Sequence, residues 1–132
     1  MTSDAELYAD AMAGGPEAFS PIVERYQDAV FGVALARMRS FHEAEDIAQS
    51  AFVEAFERLD SLKDPARLGA WLRSITVHIA IDRVRRRREV AEIGDESMPQ
   101  AKDATPHEQL ERNELRERVL AAIGSLSKAI PQ

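Results

Sequence analysis

The stretch EAEDIAQSAFVEAFERL, residues 43–59, decides the fold class of this chain. Its apolar residues recur every three or four positions, which is the spacing of one face of an α-helix. They are Ala44, Ile47, Ala48, Ala51, Phe52, Ala55, Phe56 and Leu59. The other side of this helix is polar and largely acidic. Because an apolar helix face must be buried against other elements, the stretch predicts one helix of a bundle.

Helical spacing also precedes this stretch. We predict a short helix over residues 4–12, a turn at residues 14–16, and a long helix whose apolar positions lie within residues 19–34. Pro21 either opens that long helix or kinks its first turn, since proline is tolerated only where no backbone N–H is needed.

A third long helix is predicted after residue 62. Asp64 is placed to cap a new segment and Pro65 to begin it. A loop through Gly69 then leads into the helix, which ends in a run of arginines at residues 85–88. The residues that this helix is expected to bury are Trp71, Leu72, Ile75, Ile79 and Val84.

The predicted fold is therefore all-α, a compact bundle of three long helices plus a short N-terminal helix over residues 1–88. Within residues 89–106 the apolar period lapses, and we expect a flexible acidic linker. Residues 107–132 regain helical spacing and are expected to begin a further domain that stays incomplete. The apolar positions of that last helix are Leu115, Val119, Leu120 and Ile123.

The length, the amino-acid composition and the charge distribution exclude several classes of protein. With 132 residues the chain fits one compact domain plus a tail, and the absence of cysteine excludes disulfides and thiolate metal sites. There is neither a signal peptide nor an apolar run long enough to span a membrane, so we expect a soluble cytoplasmic protein. The formal net charge is −6, yet residues 83–88 contain five arginines. The acidic stretches suit a basic protein partner. The basic block between them suits a phosphate-bearing ligand.

Two segments in order resemble the second conserved region of the extracytoplasmic-function sigma factors. Residues 43–52, EAEDIAQSAF, are similar to the family's DAEDLVQETF run, and residues 71–84, WLRSITVHIAIDRV, are similar to its WLYRIARNxxxDxxR pattern. The resemblance covers roughly residues 16–88 and implies a transcription-initiation protein rather than an enzyme. It also implies that residues 107–132 open the region-four domain, whose helix-turn-helix would follow.

Glu45, Asp46 and Gln49 fall within two helical turns and form a compact anionic, hydrogen-bond-accepting patch. Alternatively, these residues form only a solvent-exposed acidic face of the helix, with no binding role. In the family this surface binds the clamp helices of the largest subunit of core RNA polymerase, and the resemblance implies that role for these three residues.

The resemblance also implies a DNA-binding surface on the non-template strand of the minus-ten promoter element. The loop over residues 63–69 would capture a flipped base, the next helix would contact bases and sugars, and the arginines would contact phosphates. His78 stands where the family usually has asparagine. Trp71 is expected in the core rather than as a stacking platform. The implied DNA-binding residues are Lys63, Arg67, Arg73, Val77, His78, Asp82, Arg83, Arg85, Arg86, Arg87 and Arg88.

Two other functions are alternatives to a promoter-binding sigma factor: catalysis, and protein interaction without promoter recognition. Catalysis is disfavoured because adjacent Glu45 and Asp46 diverge around a helix, and because His78 and Asp82 lack a third ligand for a metal; no cofactor or metal is expected. A sigma-like interaction module that binds polymerase or an anti-sigma factor without reading promoters is the stronger alternative. An anti-sigma factor is the regulator that the resemblance implies in either case. The interpretation requires that the acidic and basic surfaces do not occlude one another.

Overall fold

The computed structural model describes residues 2–93 and, beyond them, residues 106–108, 110, 111, 114, 117 and 121. Its main elements are α1 (Asp4–Gly14), α2 (Pro16–Arg37), α3 (Phe41–Glu57) and α4 (Leu68–Ile93). Two single turns of 3₁₀ helix, Leu59–Ser61 and Pro65–Arg67, connect α3 to α4. The described residues contain helices and no strand, which confirms the predicted all-α fold.

A capping box, a glycine and a proline set the two ends of α1 and the start of α2. Ser3 and Glu6 form a capping box, in which the Ser3 hydroxyl accepts from the backbone N–H of Glu6 and the Glu6 carboxylate accepts from that of Ser3. Gly15 separates the two helices with a φ of 79°, a left-handed conformation that favours glycine. Pro16 is the first residue of α2, so Pro21 lies inside the helix rather than opening it.

The apolar stripe of α3 forms the centre of the core, as predicted. Ser40 caps the helix by accepting from the backbone N–H of Glu43. Phe52 is completely buried, and the ring of Phe19 from α2 meets Phe52 and Phe56 edge to face, at centroid distances of 6.4 and 5.5 Å. The other buried residues of the stripe are Ala44, Ile47, Ala48, Ala51, Ala55 and Leu59.

Helix α4 closes the bundle against α2 and α3. Leu68, Leu72 and Ile75 are buried, whereas Trp71, Ile79 and Val84 are only partly buried and pack against the edge of the core. Thr76 is also buried, and its hydroxyl donates to the carbonyl of Leu72 one turn earlier, at 2.7 Å. This internal hydrogen bond satisfies the one polar side chain among the fully buried ones of α4 in the described part of the chain.

Helix α1 is tied to the bundle by two tyrosines. The Tyr26 hydroxyl of α2 donates to the Asp4 carboxylate, which also forms a 2.9 Å ion pair with Arg25. The Tyr8 hydroxyl lies 3.2 Å from the carbonyl oxygen of Leu59 and 3.1 Å from that of Leu62. Helix α1 therefore holds the chain at the point where it leaves α3 for the loop.

Helix α4 continues to Ile93, five residues into the segment expected to be linker. The described residues between 106 and 121 are helical and exposed. The four apolar positions predicted for the last helix, Leu115, Val119, Leu120 and Ile123, lie outside the described residues. The division into a bundle, a linker and an incomplete domain stays a prediction.

We expect the stability of the bundle to fall in alkaline solution through Tyr26. Burial, reinforced by the hydrogen bond to Asp4, raises the pKa of Tyr26 to about 12 from its ordinary value of 10.0. Above pH 10 the unfolded chain loses this proton while the folded chain retains it, so the free energy of unfolding decreases until the pH passes about 12. Urea denaturation at several pH values should show this loss in the wild type and a smaller one in Tyr26→Phe. Equal losses in both would contradict the assignment.

Candidate protein- and nucleic-acid-binding surface

The predicted polymerase-binding residues lie in the first half of α3, on the part of its circumference that the core leaves open. Glu45, Asp46 and Gln49 are all half-buried, so none of them is a freely solvated side chain. Their exposure is unequal. The side chain of Asp46 is 46% exposed, whereas Oε2 of Glu45 is buried and has no hydrogen-bond partner among the described residues. Asp46 therefore offers the more accessible carboxylate.

The acidic residues of α3 and the arginines of α4 meet in two ion pairs. Nη1 of Arg83 lies 2.7 Å from Oδ2 of Asp46. Nη2 of Arg87 lies 2.7 Å from Oε1 of Glu43, and its Nη1 lies 3.3 Å from the other carboxylate oxygen. The two surfaces were expected to face separate partners, and the structure instead brings their edges together. They do not occlude one another, because the side chains of Asp46 and Arg87 remain 46% and 57% exposed.

The arginine run is divided by the helical period of α4. Residues four apart share a side of a helix, so Arg83 and Arg87 both face α3. Arg86 pairs with Asp82 on its own helix at 3.5 Å. Arg85 and Arg88 point elsewhere, and among the described residues no ion pair involves either of them.

Arg85 and Arg88 line an open cavity of about 490 Å³ between α4 and the end of α2. Arg37 of α2 lines the same cavity, so three arginines contribute to its wall. Its apolar lining consists of Ala36, Ala80, Ile81 and Val84. This mixture of arginines and apolar surface suits a ligand that carries both phosphates and flat apolar groups.

A second cleft lies at the loop that was predicted to capture a base. Its volume is about 510 Å³, and its lining residues are Ser61, Leu62, Lys63, Asp64, Arg67, Ala70 and Trp71. The carboxylate of Asp64 accepts from the backbone N–H of Ala66 and so caps the turn that begins at Pro65, as predicted. The loop is shorter than expected, because Leu68 and Gly69 already belong to α4. Leu68 is completely buried and fixes the end of the loop to the core.

Gly69 allows the start of α4 to approach α2 closely. A Cβ atom at this position would lie 3.1 Å from Cε1 of Tyr26, which is closer than side chains normally pack. Trp71, two residues further along α4, packs against the core as predicted and also lines the cleft. The indole therefore contributes both to stability and to a wall of the cleft.

The remaining predicted DNA-binding residues lie on the outer side of α4. Arg73, His78 and Asp82 are exposed, and Val77 is half-buried. Ile81 lies between His78 and Asp82 in the sequence and is 41% exposed, so this surface also carries an accessible apolar side chain. Within the described residues no cluster of three His, Asp or Glu side chains could hold a metal.

Sequence reasoning missed three residues of this surface: Glu43, Arg37 and Ile81. Ile81 carried a signal, because it falls outside the period of the residues that α4 buries. Glu43 begins the run that resembles the family's, but neither its contact with Arg87 nor the position of Arg37 could be read from the sequence, since both depend on how α2, α3 and α4 pack.

An all-helical bundle with an acidic helix beside a helix that carries a run of arginines is the arrangement that the resemblance to sigma factors implies. Residues 22–90 match the family described as Sigma-70 region 2, and this match covers just over half of the chain. The chain belongs to this family, which confirms the resemblance.

Several curated relatives are sigma factors. The chain is 36% identical over 75 residues to the ECF RNA polymerase sigma factor SigW of Bacillus subtilis, a match that covers 57% of this chain and 40% of that one. It is 39% identical over 111 residues to the probable RNA polymerase sigma factor RfaY of Xanthomonas campestris, covering 80% and 28%. For the ECF RNA polymerase sigma factor SigM of Mycobacterium tuberculosis the identity is 33% over 84 residues, covering 64% and 43%. The chain thus spans less than half the length of each of these relatives.

None of the helices in the described residues combines the length and the apolar character needed to cross a membrane.

The cap at Asp64 should hold the loop in place. Removing its carboxylate in Asp64→Ala leaves the N–H of Ala66 without its acceptor and is expected to lower the free energy of unfolding by about 1 kcal/mol. Asp64→Asn keeps an oxygen acceptor and should lose much less. Urea denaturation of the two variants checks this, and equal destabilisation would show that the carboxylate charge, not the cap, is what matters.

Proposed function

We propose that this chain acts in transcription initiation as the part of a sigma factor that binds core RNA polymerase and holds the opened minus-ten promoter element. The match of residues 22–90 to Sigma-70 region 2 carries this proposal. The three relatives named above, two RNA polymerase sigma factors and one probable one, support it. The chain makes and breaks no bond in this role; binding alone stabilises the opened DNA.

The polymerase contact is assigned to α3. The carboxylate of Asp46 is nearly half exposed, and Gln49 lies one turn further along on the same side. A basic helical partner would find there a carboxylate and an amide in adjacent positions. Glu45 borders this patch, and its shielded oxygen favours a supporting role over a primary contact.

The DNA contact is assigned to the loop and α4. The cleft at residues 61–71 offers a concave site walled by the Trp71 indole and flanked by Lys63 and Arg67, which suits a single base leaving the stack. Arg85 and Arg88 lie further along the same helix and would contact backbone phosphates. Arg73, Val77, His78 and Asp82 occupy the helix surface between these two places.

A module that binds polymerase or an anti-sigma factor without reading promoters is the second candidate. One observation favours it: Arg83, Arg86 and Arg87 are already paired with carboxylates, which reduces the positive charge offered to phosphates. Base preference in DNA binding separates the two functions.

Asp46→Ala combined with Gln49→Ala should weaken binding to core RNA polymerase at least tenfold, because it removes the accessible carboxylate and its neighbouring amide together. Glu24→Ala combined with Gln27→Ala is the matched control, since these residues place a carboxylate and an amide three positions apart on α2, as Asp46 and Gln49 do on α3. Biolayer interferometry with immobilised core polymerase provides the measurement. Equal affinities of the two double variants would refute the assignment to α3.

Single-stranded oligonucleotides of equal length and permuted base order should bind with different affinities. His78→Ala should reduce these differences, whereas Arg85→Ala should weaken all the oligonucleotides alike and lower the slope of log affinity against log salt concentration by about 0.7. Fluorescence anisotropy over a salt series measures both effects. Uniform binding of every sequence by the wild type would favour the interaction module instead.

A further inference from the structure

The loop between α3 and α4 is held at its first turn by a side chain of α1. The hydroxyl of Tyr8 lies 3.2 Å from the carbonyl oxygen of Leu59 and 3.1 Å from that of Leu62. Leu59 begins the 3₁₀ turn Leu59–Ser61, and Leu62 is the residue directly after it. Because a tyrosine hydroxyl has one hydrogen to donate, the two ends of the turn share this hydrogen.

The turn that Tyr8 holds leads into the cleft at residues 61–71. The lining residues of this cleft come from two segments, which we call the loop wall and the helix wall. The loop wall consists of Ser61, Leu62, Lys63 and Asp64, and the helix wall of Arg67, Ala70 and Trp71. Tyr8 lines neither wall, so its hydroxyl supports the loop wall from outside the cleft.

The two walls differ in what fixes them. The helix wall adjoins Leu68, which is completely buried, and continues as regular α-helix with the hydrogen bonds of its own backbone. The backbone of the loop wall is extended at Leu62 and Asp64. Burial anchors the side chain of Leu62, whereas the hydrogen bond from Tyr8 holds its carbonyl group. Since the peptide unit is planar, holding this carbonyl also fixes the direction in which the chain continues to Lys63.

We propose that Tyr8 is a positioning residue for base recognition. It holds the loop wall at the separation from Trp71 that suits an unstacked base, without touching the DNA. A cleft that is already formed binds its ligand more tightly than one that must be ordered on binding. Helix α1 precedes residues 22–90, so this role lies outside the part of the chain that matches Sigma-70 region 2. The inference rests on the proposed function for the identity of the ligand, a single base of opened DNA.

The size of the effect follows from the strength of one hydrogen bond. A hydrogen bond between neutral groups changes an equilibrium by a factor of about two to ten. Without it the loop wall populates other arrangements, and the affinity for a base falls in proportion to the fraction of molecules that keep the cleft formed. Arg85 and Arg88 line a different cavity, so their contacts with phosphates do not depend on Tyr8.

The chain contains a matched control for the loss of a tyrosine hydroxyl. Tyr26→Phe removes a hydrogen bond to Asp4 of α1, while Arg25 keeps its ion pair with the same carboxylate. The ring of Tyr26 remains beside Gly69, and both hydrogen bonds of Tyr8 are retained. Tyr26→Phe therefore weakens the attachment of α1 but leaves the loop wall held, whereas Tyr8→Phe releases the loop wall.

The first measurement uses the free protein at neutral pH, with circular dichroism to verify equal helix content. Trp71 is the one tryptophan of the sequence and lines the cleft, so quenching of its fluorescence by acrylamide reports the accessibility of the cleft. Tyr8→Phe should have a larger quenching constant than the wild type, and Tyr26→Phe should match the wild type. Equal quenching constants in the two variants would overturn the positioning role.

The second measurement uses fluorescence anisotropy and the single-stranded oligonucleotide that the wild type binds most tightly among those of permuted base order. Versions that lack one base at a time identify the captured base, because its loss weakens binding by the wild type and by Tyr26→Phe. In Tyr8→Phe this penalty should be about two- to tenfold smaller. The slope of log affinity against log salt concentration should stay unchanged, since the phosphate contacts remain. A full penalty in Tyr8→Phe would refute the role of Tyr8.

Failure of the inference and failure of the proposed function give different results. If the wild type binds every abasic version as tightly as the intact oligonucleotide, no base is captured and the proposed function is wrong. The quenching of Trp71 then still shows whether Tyr8 holds the loop wall. If the wild type shows an abasic penalty that Tyr8→Phe retains in full, the proposed function stands and only the role of Tyr8 is excluded.

Discussion

The packing of the apolar stripe of α3 against α2 is the constraint on which the surface depends. Phe52 is completely buried, and the ring of Phe19 meets it edge to face. Helical periodicity ties every other residue of α3 to that one, so burying Phe52 fixes the rotation of the helix about its axis. Asp46 is thereby turned toward α4, and Glu45 toward the edge of the core. The unequal exposure of the acidic residues is a consequence of core packing rather than of their own chemistry.

The same reasoning explains why the arginines of one run have different surroundings. Leu72 and Ile75 bury one side of α4, and this sets the rotation of the whole helix through residue 88. Arg83 and Arg87 then face α3, while Arg85 and Arg88 line the cavity beside α2. Four consecutive arginines on a helix cannot act as one patch, because successive side chains diverge by about 100°.

The sequence predicted the helices and the core more fully than the surface. The stripe from Ala44 to Leu59 and the cap at Asp64 follow from periodicity and local hydrogen bonding, and both were found. The contact between Asp46 and Arg83 was not anticipated, since residues 37 positions apart meet only through the tertiary packing of two helices. The resemblance to sigma factors supplied candidate residues one at a time, whereas their pairing is a property of the folded chain.

For the nucleic-acid binding proposed above, the negative net charge of this chain matters less than the arrangement of a few arginines. At physiological ionic strength charges are screened beyond about 8 Å, so acidic residues elsewhere in the bundle act weakly on a phosphate bound beside Arg85 and Arg88. The carboxylates in direct contact with the arginines are not screened in this way. Glu43 and Asp46 therefore influence the charge presented by α4 more than the rest of the chain does.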